Sequence, residues 1–204
     1  MIVSNVEELD YVSPNSVLYN SLIDCITKNG GVEAPSQAED VLAKMQQMQN
    51  EGFSDVSPNS YAYSMVLTCC ARSQDESAAE RADRILMEME HTYDAGNSNV
   101  IANDRCYSAV ITAWARNGSV NAVQRSLELL DRMEHNLKED KPHGRPNAHC
   151  YNACIHAVAK SALSGSQKAK KCQEILLRMI HQKEKGFHES APTLVTYSTI
   201  LNCK

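Results

Sequence analysis

Apolar residues recur along this chain at i, i+3, i+4 and i+7, in blocks that alternate with polar turns. That spacing predicts pairs of amphipathic helices. Tyr19, Leu22, Ile23 and Ile26 form the first stripe; Ala38, Val41, Leu42 and Met45 form the second. The pair returns as Tyr63, Val66, Leu67 and Cys70 with Ala82, Ile85, Leu86 and Met89. It returns again as Tyr107, Val110, Ile111 and Trp114 with Ser126, Leu129, Leu130 and Met133. A fourth copy is Tyr151, Cys154, Ile155 and Val158 with Cys172, Ile175, Leu176 and Met179. Asn29-Gly30-Gly31, Gly52 and Gly96 read as helix stops, and Pro35 sits where a first turn tolerates proline.

Tyr19, Tyr63, Tyr107 and Tyr151 follow one another at 44-residue steps, and Tyr197 comes 46 residues later. A fixed period of this size is the mark of a repeat array, in which one hairpin cannot cover its own apolar stripe and must stack on neighbours. The predicted fold is all-α, made of stacked helical hairpins. Residues 1–15 read as the tail of a preceding repeat. Repeats follow at 16–59, 60–103, 104–147 and 148–193, and 194–204 reads as the first helix of a truncated fifth. The fourth repeat carries two extra residues, placed in the turn SALSGSQ. Ser21, Cys25, Ala109, Ala113, Ala153 and Ala157 are small enough to let helices approach closely.

Composition narrows the chemistry. Of 204 residues 43% are hydrophobic and 22% charged, enough for a packed interior. No run nears the ~18 apolar residues of a membrane span, and MIVSNVEELDYV at the start resembles neither a secretory signal nor a transit peptide. The eight cysteines form no CxxC pair. Cys25 and Cys69, like Cys106 and Cys150, fall 44 residues apart and read as small core residues in a reducing compartment. His91, His135 and His181 share one slot, two after the methionine of their repeat, where the first repeat has Gln47. Equivalent slots of stacked helices lie about 10 Å apart, too far for one metal ion. No phosphate loop, nucleophile elbow or HExxH appears, so the chain is expected to be no enzyme and to need no cofactor or metal.

Two polar rows remain. The residue after each tyrosine is small and can hydrogen-bond: Asn20, Ser64, Ser108, Asn152 and Ser198. A repeat protein can read one base of single-stranded RNA per hairpin with two or three such side chains. Nine positions after each of the first four of these tyrosines stands a cation: Lys28, Arg72, Arg116 and Lys160. Cations suit helix C-termini, but a line of them at regular pitch also suits a sugar–phosphate backbone.

These elements resemble the pentatricopeptide repeat family: a tyrosine followed by Asn or Ser, the basic residue, an A-x-x-apolar-apolar-x-x-M helix and a closing Pro-Asn pair. VLYNSLIDCITKNG and TLVTYSTILNCK are the closest stretches. The units here are longer than is usual in that family. Ala102 replaces the proline of one pair, and Thr193 replaces the asparagine after Pro192. The resemblance implies a right-handed α-solenoid that binds single-stranded RNA in a mitochondrion or plastid. It implies Asn59, Asn103, Asn147 and Thr193 as second base readers, with a target of 5′-YAAY-3′. It also implies a base-stacking row at Val17, Tyr61, Arg105, His149 and Val195, of which Val17 and Val195 match its aliphatic wedge. The net charge of −5 favours a competing reading, a protein-interaction scaffold of the TPR- or HEAT-like solenoid type.

Overall fold

The computed structural model describes residues 15–119 and 121–202, and among them every regular element is helical. The predicted tail at 1–15 therefore lies outside the described residues apart from Asn15. The chain divides into two compact units, Met1–Ile101 and Ala102–Lys204.

The first unit contains α1 (Ser16–Asn29), α2 (Ala34–Asn50), α3 (Ser60–Arg72) and α4 (Ala78–Asp94). Helix α1 packs on α2 and α3, and α3 packs on α2 and α4. The core is the predicted one: Tyr19, Ile23, Met45, Tyr63, Leu67, Leu86 and Met89 are all buried. Leu22 and Ile26 are half-buried, and Cys25 and Ser21 are exposed, against the expectation of close packing there. The slot explains it. Cys69, the counterpart of Cys25, is buried on the side of α3 that meets Thr27 of α1, and no described helix meets α1 from the corresponding side.

The second unit contains α5 (Asp104–Asn117), α6 (Ala122–Lys138), α7 (Ala148–Lys160), α8 (Gly165–Glu184) and α9 (Leu194–Leu201). Helix α7 is central, touching α5, α6, α8 and α9. Tyr107, Ile111, Leu129, Leu130, Met133, Tyr151, Ile155 and Ile175 are buried. Leu176 is half-buried.

Each second helix runs on past its methionine, and a linker follows at 51–59, 95–103, 139–147 and 185–193. The left-handed position in these linkers is filled by Gly52, Gly96 and Gly186, and once by Asp140 with φ 49°. Asp140 pays for that conformation with a Cβ that glycine lacks; its carboxylate pairs with Arg145 at 2.9 Å. Gly144 serves a different need. A Cβ there would come within 2.8 Å of the Asn103 backbone and the Tyr107 ring, and its N–H donates to the Ala102 carbonyl at 2.7 Å.

The two extra residues of the fourth repeat do not lengthen the turn, as the sequence reading placed them. The turn is only 161–164, and α8 is 20 residues long where α2, α4 and α6 have 17. Ser164 and Gln167 form a reciprocal capping box that starts the helix early, so the insertion becomes helix.

Ion pairs join successive second helices within each unit. Glu39 of α2 takes Arg81 and Arg84 of α4, and Asp131 and Glu134 of α6 both take Arg178 of α8.

Candidate nucleic-acid interface

Helical geometry gathers the sequence-predicted rows onto one face of each leading helix. At ~100° per residue, positions i, i+3, i+7 and i+11 fall within about 80° of arc. On α7 these are His149, Asn152, His156 and Lys160, opposite the buried Cys150, Tyr151, Cys154, Ile155 and Val158. The same face carries Val17, Asn20, Asp24 and Lys28 on α1, and Tyr61, Ser64, Thr68 and Arg72 on α3. On α5 it carries Arg105, Ser108, Thr112 and Arg116. In α9 the face is shorter, with Val195 and Ser198. The position between reader and cation, filled by Asp24, Thr68, Thr112 and His156, was not singled out from the sequence. Its signal was available as the i+4 neighbour of each reader.

The stacking row lies outermost. Val17, Tyr61, Arg105, His149 and Val195 are all exposed. The cations Lys28, Arg72, Arg116 and Lys160 are also exposed. Lys28 pairs with Asp24, four residues back, and that hydrogen bond raises the pKa of its ammonium. Arg72 makes no ion pair among the described residues. Lys28 and Arg72 line one hollow of about 190 Å³ at the ends of α1 and α3, together with Thr27, Gly30, Cys69 and Ser73.

The reader row is less uniform. Ser64, Ser108 and Ser198 each donate to the carbonyl three residues back, Tyr61, Arg105 and Val195, at 2.9, 3.1 and 3.0 Å. Their hydroxyl protons are thus committed to their own helices, and what they can still offer a ligand is lone pairs. Ser108 is buried as well, at 8% exposure. Asn20 holds its Oδ1 buried without a hydrogen-bond partner.

The closing residues are helix caps. Asn59 Oδ1 accepts from the N–H groups of Tyr61 and Ala62, Asn103 Oδ1 from Cys106, and Asn147 Oδ1 from His149 and Cys150. Thr193 caps α9 in a box with Thr196. Capping satisfies N–H groups that the first turn leaves open. It leaves Asn59 and Asn103 their amide nitrogens, while Asn147 Nδ2 already donates to Asp104 Oδ2 at 2.7 Å. The pair Asn152 and Thr193 is brought together: Asn152 Nδ2 donates to Thr193 Oγ1 at 3.5 Å, and Asn152 Oδ1 accepts from Thr196 Oγ1 at 2.7 Å.

Behind this face the tyrosine hydroxyls are held by second helices. Tyr63 OH accepts from Gln46 at 2.9 Å and donates to Glu88 at 3.0 Å. Tyr151 OH donates to Glu134 at 2.8 Å, and Asn136 Nδ2 donates to Tyr107 OH at 3.1 Å. Burial, then the Glu88 charge, pushes the Tyr63 phenol up to about 12; burial and Glu134 push Tyr151 higher in the same way. Burial raises the thiols of Cys70 and Cys106 to about 12 and that of Cys150 to about 11, which makes them inert core groups. Away from the face, His135 and His181 line a hollow of about 450 Å³ between α6 and α8 with Lys138 and Lys185. No cluster of three or more His, Cys, Asp or Glu among the described residues could hold a metal ion. No described helix is long and apolar enough to cross a membrane.

No protein-family model matches the chain, and no curated protein matches it.

Proposed function

We propose that the chain is a single-stranded RNA-binding module of the pentatricopeptide repeat type, built as a right-handed α-solenoid and reading about one base per hairpin. The observation that carries this reading is the hollow shared by Lys28 and Arg72 at the ends of two adjoining leading helices, on the face that also carries Asn20 and Ser64. Two cations at the pitch of neighbouring helices suit successive phosphates of one strand. The outermost side chains, Tyr61, Arg105 and His149, have planar groups that can stack on bases. The module acts by occupancy, in organellar RNA processing, stability or translation. Base preference rests on Asn20 with Asn59, Ser64 with Asn103, Ser108 with Asn147 and Asn152 with Thr193, for 5′-YAAY-3′.

The test is fluorescence anisotropy with a random single-stranded RNA at about 50 and about 200 mM salt. Binding that weakens steeply with salt supports the reading, and an A-rich oligonucleotide should then outcompete a scrambled one. Absence of RNA binding at either salt sinks it and leaves the protein-interaction scaffold, which the −5 net charge favours.

A further inference from the structure

Hairpin α7–α8 differs from the others on its ligand-facing side. The amide of Asn152 is bonded at both ends, to Thr193 and to Thr196 of α9. Thr68 and Thr112, in the slot one turn further on, spend their hydroxyl protons on the carbonyls of Ser64 and Ser108 at 2.7 Å. His156 occupies that slot on α7, is half-buried, and has no hydrogen-bond partner for either ring nitrogen among the described residues. His149 lies two turns earlier on the same face, about 10 Å away along the axis, and is exposed. The other five histidines, 91, 135, 143, 181 and 188, lie on second helices or linkers.

We propose that His156, flanked by His149, is a further side chain of α7 that contacts the RNA strand, in the slot between Asn152 and Lys160. The inference rests on the RNA-binding reading above and adds a specificity-determining residue to it. A free imidazole between Asn152 and Lys160 can stack on a base or donate to a phosphate, whereas the Asn152 amide must first release α9.

The contact makes this hairpin sensitive to pH. Burial, then the Lys160 charge, holds the His156 imidazole below its ordinary range, so it is neutral at pH 7 in the free protein. Helix α5 adds Arg105 and Arg116 on the same side, with Asp104 next to Arg105 taken up by Asn147 Nδ2, while the Tyr197 phenol of α9 sits in the slot of Tyr151, away from that face. On the far side of α7, Glu134 and Asp131 of α6 share Arg178, which leaves one net negative charge there, and Lys168 of α8 donates to the Ala159 carbonyl. The 3-10 turn His188–Ser190, also packed on α7, contributes His188 and Glu189. These surroundings are mainly cationic on the strand side, so a bound phosphate favours the protonated ring. Binding takes up a proton, and affinity rises as pH falls. The gain is tenfold for each unit by which the strand raises the imidazole pKa.

The experiment is anisotropy of the full chain with single-stranded RNA at about pH 7.5 and about pH 5.5, comparing wild type with His156→Gln, and with His181→Gln as a control on α8. Wild type and His181→Gln should gain about threefold or more at the lower pH, and His156→Gln should lose most of that gain. NMR titration of the His156 ring in wild type should show its pKa rising when the oligonucleotide is added, a readout independent of any variant's folding. A gain fully retained by His156→Gln, or a His156 pKa unmoved by RNA, overturns the inference while leaving RNA binding in place. RNA binding absent at both pH values overturns the parent reading and the inference with it.

Discussion

Thr196 Oγ1 donates to Asn152 Oδ1 at 2.7 Å, fastening α9 to α7 through the side chain that the sequence marks as a base reader. A residue in this position cannot hold its neighbour and face a ligand with the same atoms. Asn152→Ala should therefore act first on α9. Hydrogen exchange over Leu194–Leu201 should quicken, with a stability loss of about 1 kcal/mol. Unchanged protection of α9 would show that the bond contributes nothing.

The ion pair between Lys28 and Asp24 competes with any phosphate for the lysine. Asp24→Asn should strengthen RNA binding by freeing Lys28 and removing a like charge from the strand's path. Arg72→Ala should weaken it and flatten the logarithmic salt slope by roughly 0.7, the value for one phosphate contact on a single strand. An anisotropy series over salt reads both, and an unaltered slope for Arg72→Ala would deny the phosphate contact.

Gly144 sits where any side chain would strike backbone. The atoms within 2.9 Å of an added Cβ are the Asn103 carbonyl group and the Tyr107 ring, neither of which is the free end of a flexible chain. Gly144→Ala should cost about 1–3 kcal/mol, the usual range for overpacking. Urea unfolding of the variant measures it; a loss under about 0.5 kcal/mol, the scatter of ordinary surface changes, would mean that the linker gives way freely.

Asp140 takes the left-handed conformation that glycine fills in the other linkers. Asp140→Gly removes the steric cost, about 1 kcal/mol, and also removes an exposed pair with Arg145 that contributes little. The variant should melt slightly higher than wild type. A lower melting temperature would show that the Arg145 pair outweighs the strain.

The tyrosine hydroxyls set a limit at alkaline pH. The folded-state phenol of Tyr63 is raised to about 12 from its ordinary 10, and Tyr151 is raised further. A raised pKa contributes stability below the unfolded value that is lost as pH climbs through the folded value. Buried thiols add the same trend from a lower start, since Cys70 and Cys106 shift from 9 to about 12. Unfolding free energy should fall from about pH 9 upward. Tyr63→Phe and Tyr151→Phe should flatten the part of that fall above pH 10. A profile of identical steepness in both variants would remove the phenols from the explanation.

The sequence carried the helices because burial repeats with helical spacing, and Tyr19, Tyr63, Tyr107 and Tyr151 are all among the most buried side chains. It did not separate capping from reading at Asn59, Asn103 and Asn147. Asparagine suits either purpose, and only the bonds to Tyr61, Cys106 and His149 tell which atoms are left. The Asn152–Thr196 bond joins residues 44 apart in sequence and leaves no periodic trace. Cys25 misled because its slot is buried only where a preceding helix covers it, as Cys69 is covered by α1. The early start of α8 was legible in principle from Ser164 and Gln167, but Gly165 between them reads as a breaker.

That early start bears on how such chains change length. The insertion in the fourth repeat emerges as an overhang at the free tip of a hairpin, and the linker at 185–193 still delivers α9 onto α7 as the linker at 139–147 delivers α7 onto α5. Residues added at a tip leave the phase of everything downstream untouched. The number of residues between successive tyrosines and the physical step between successive hairpins are thus independent quantities, and the first can drift while the second is kept.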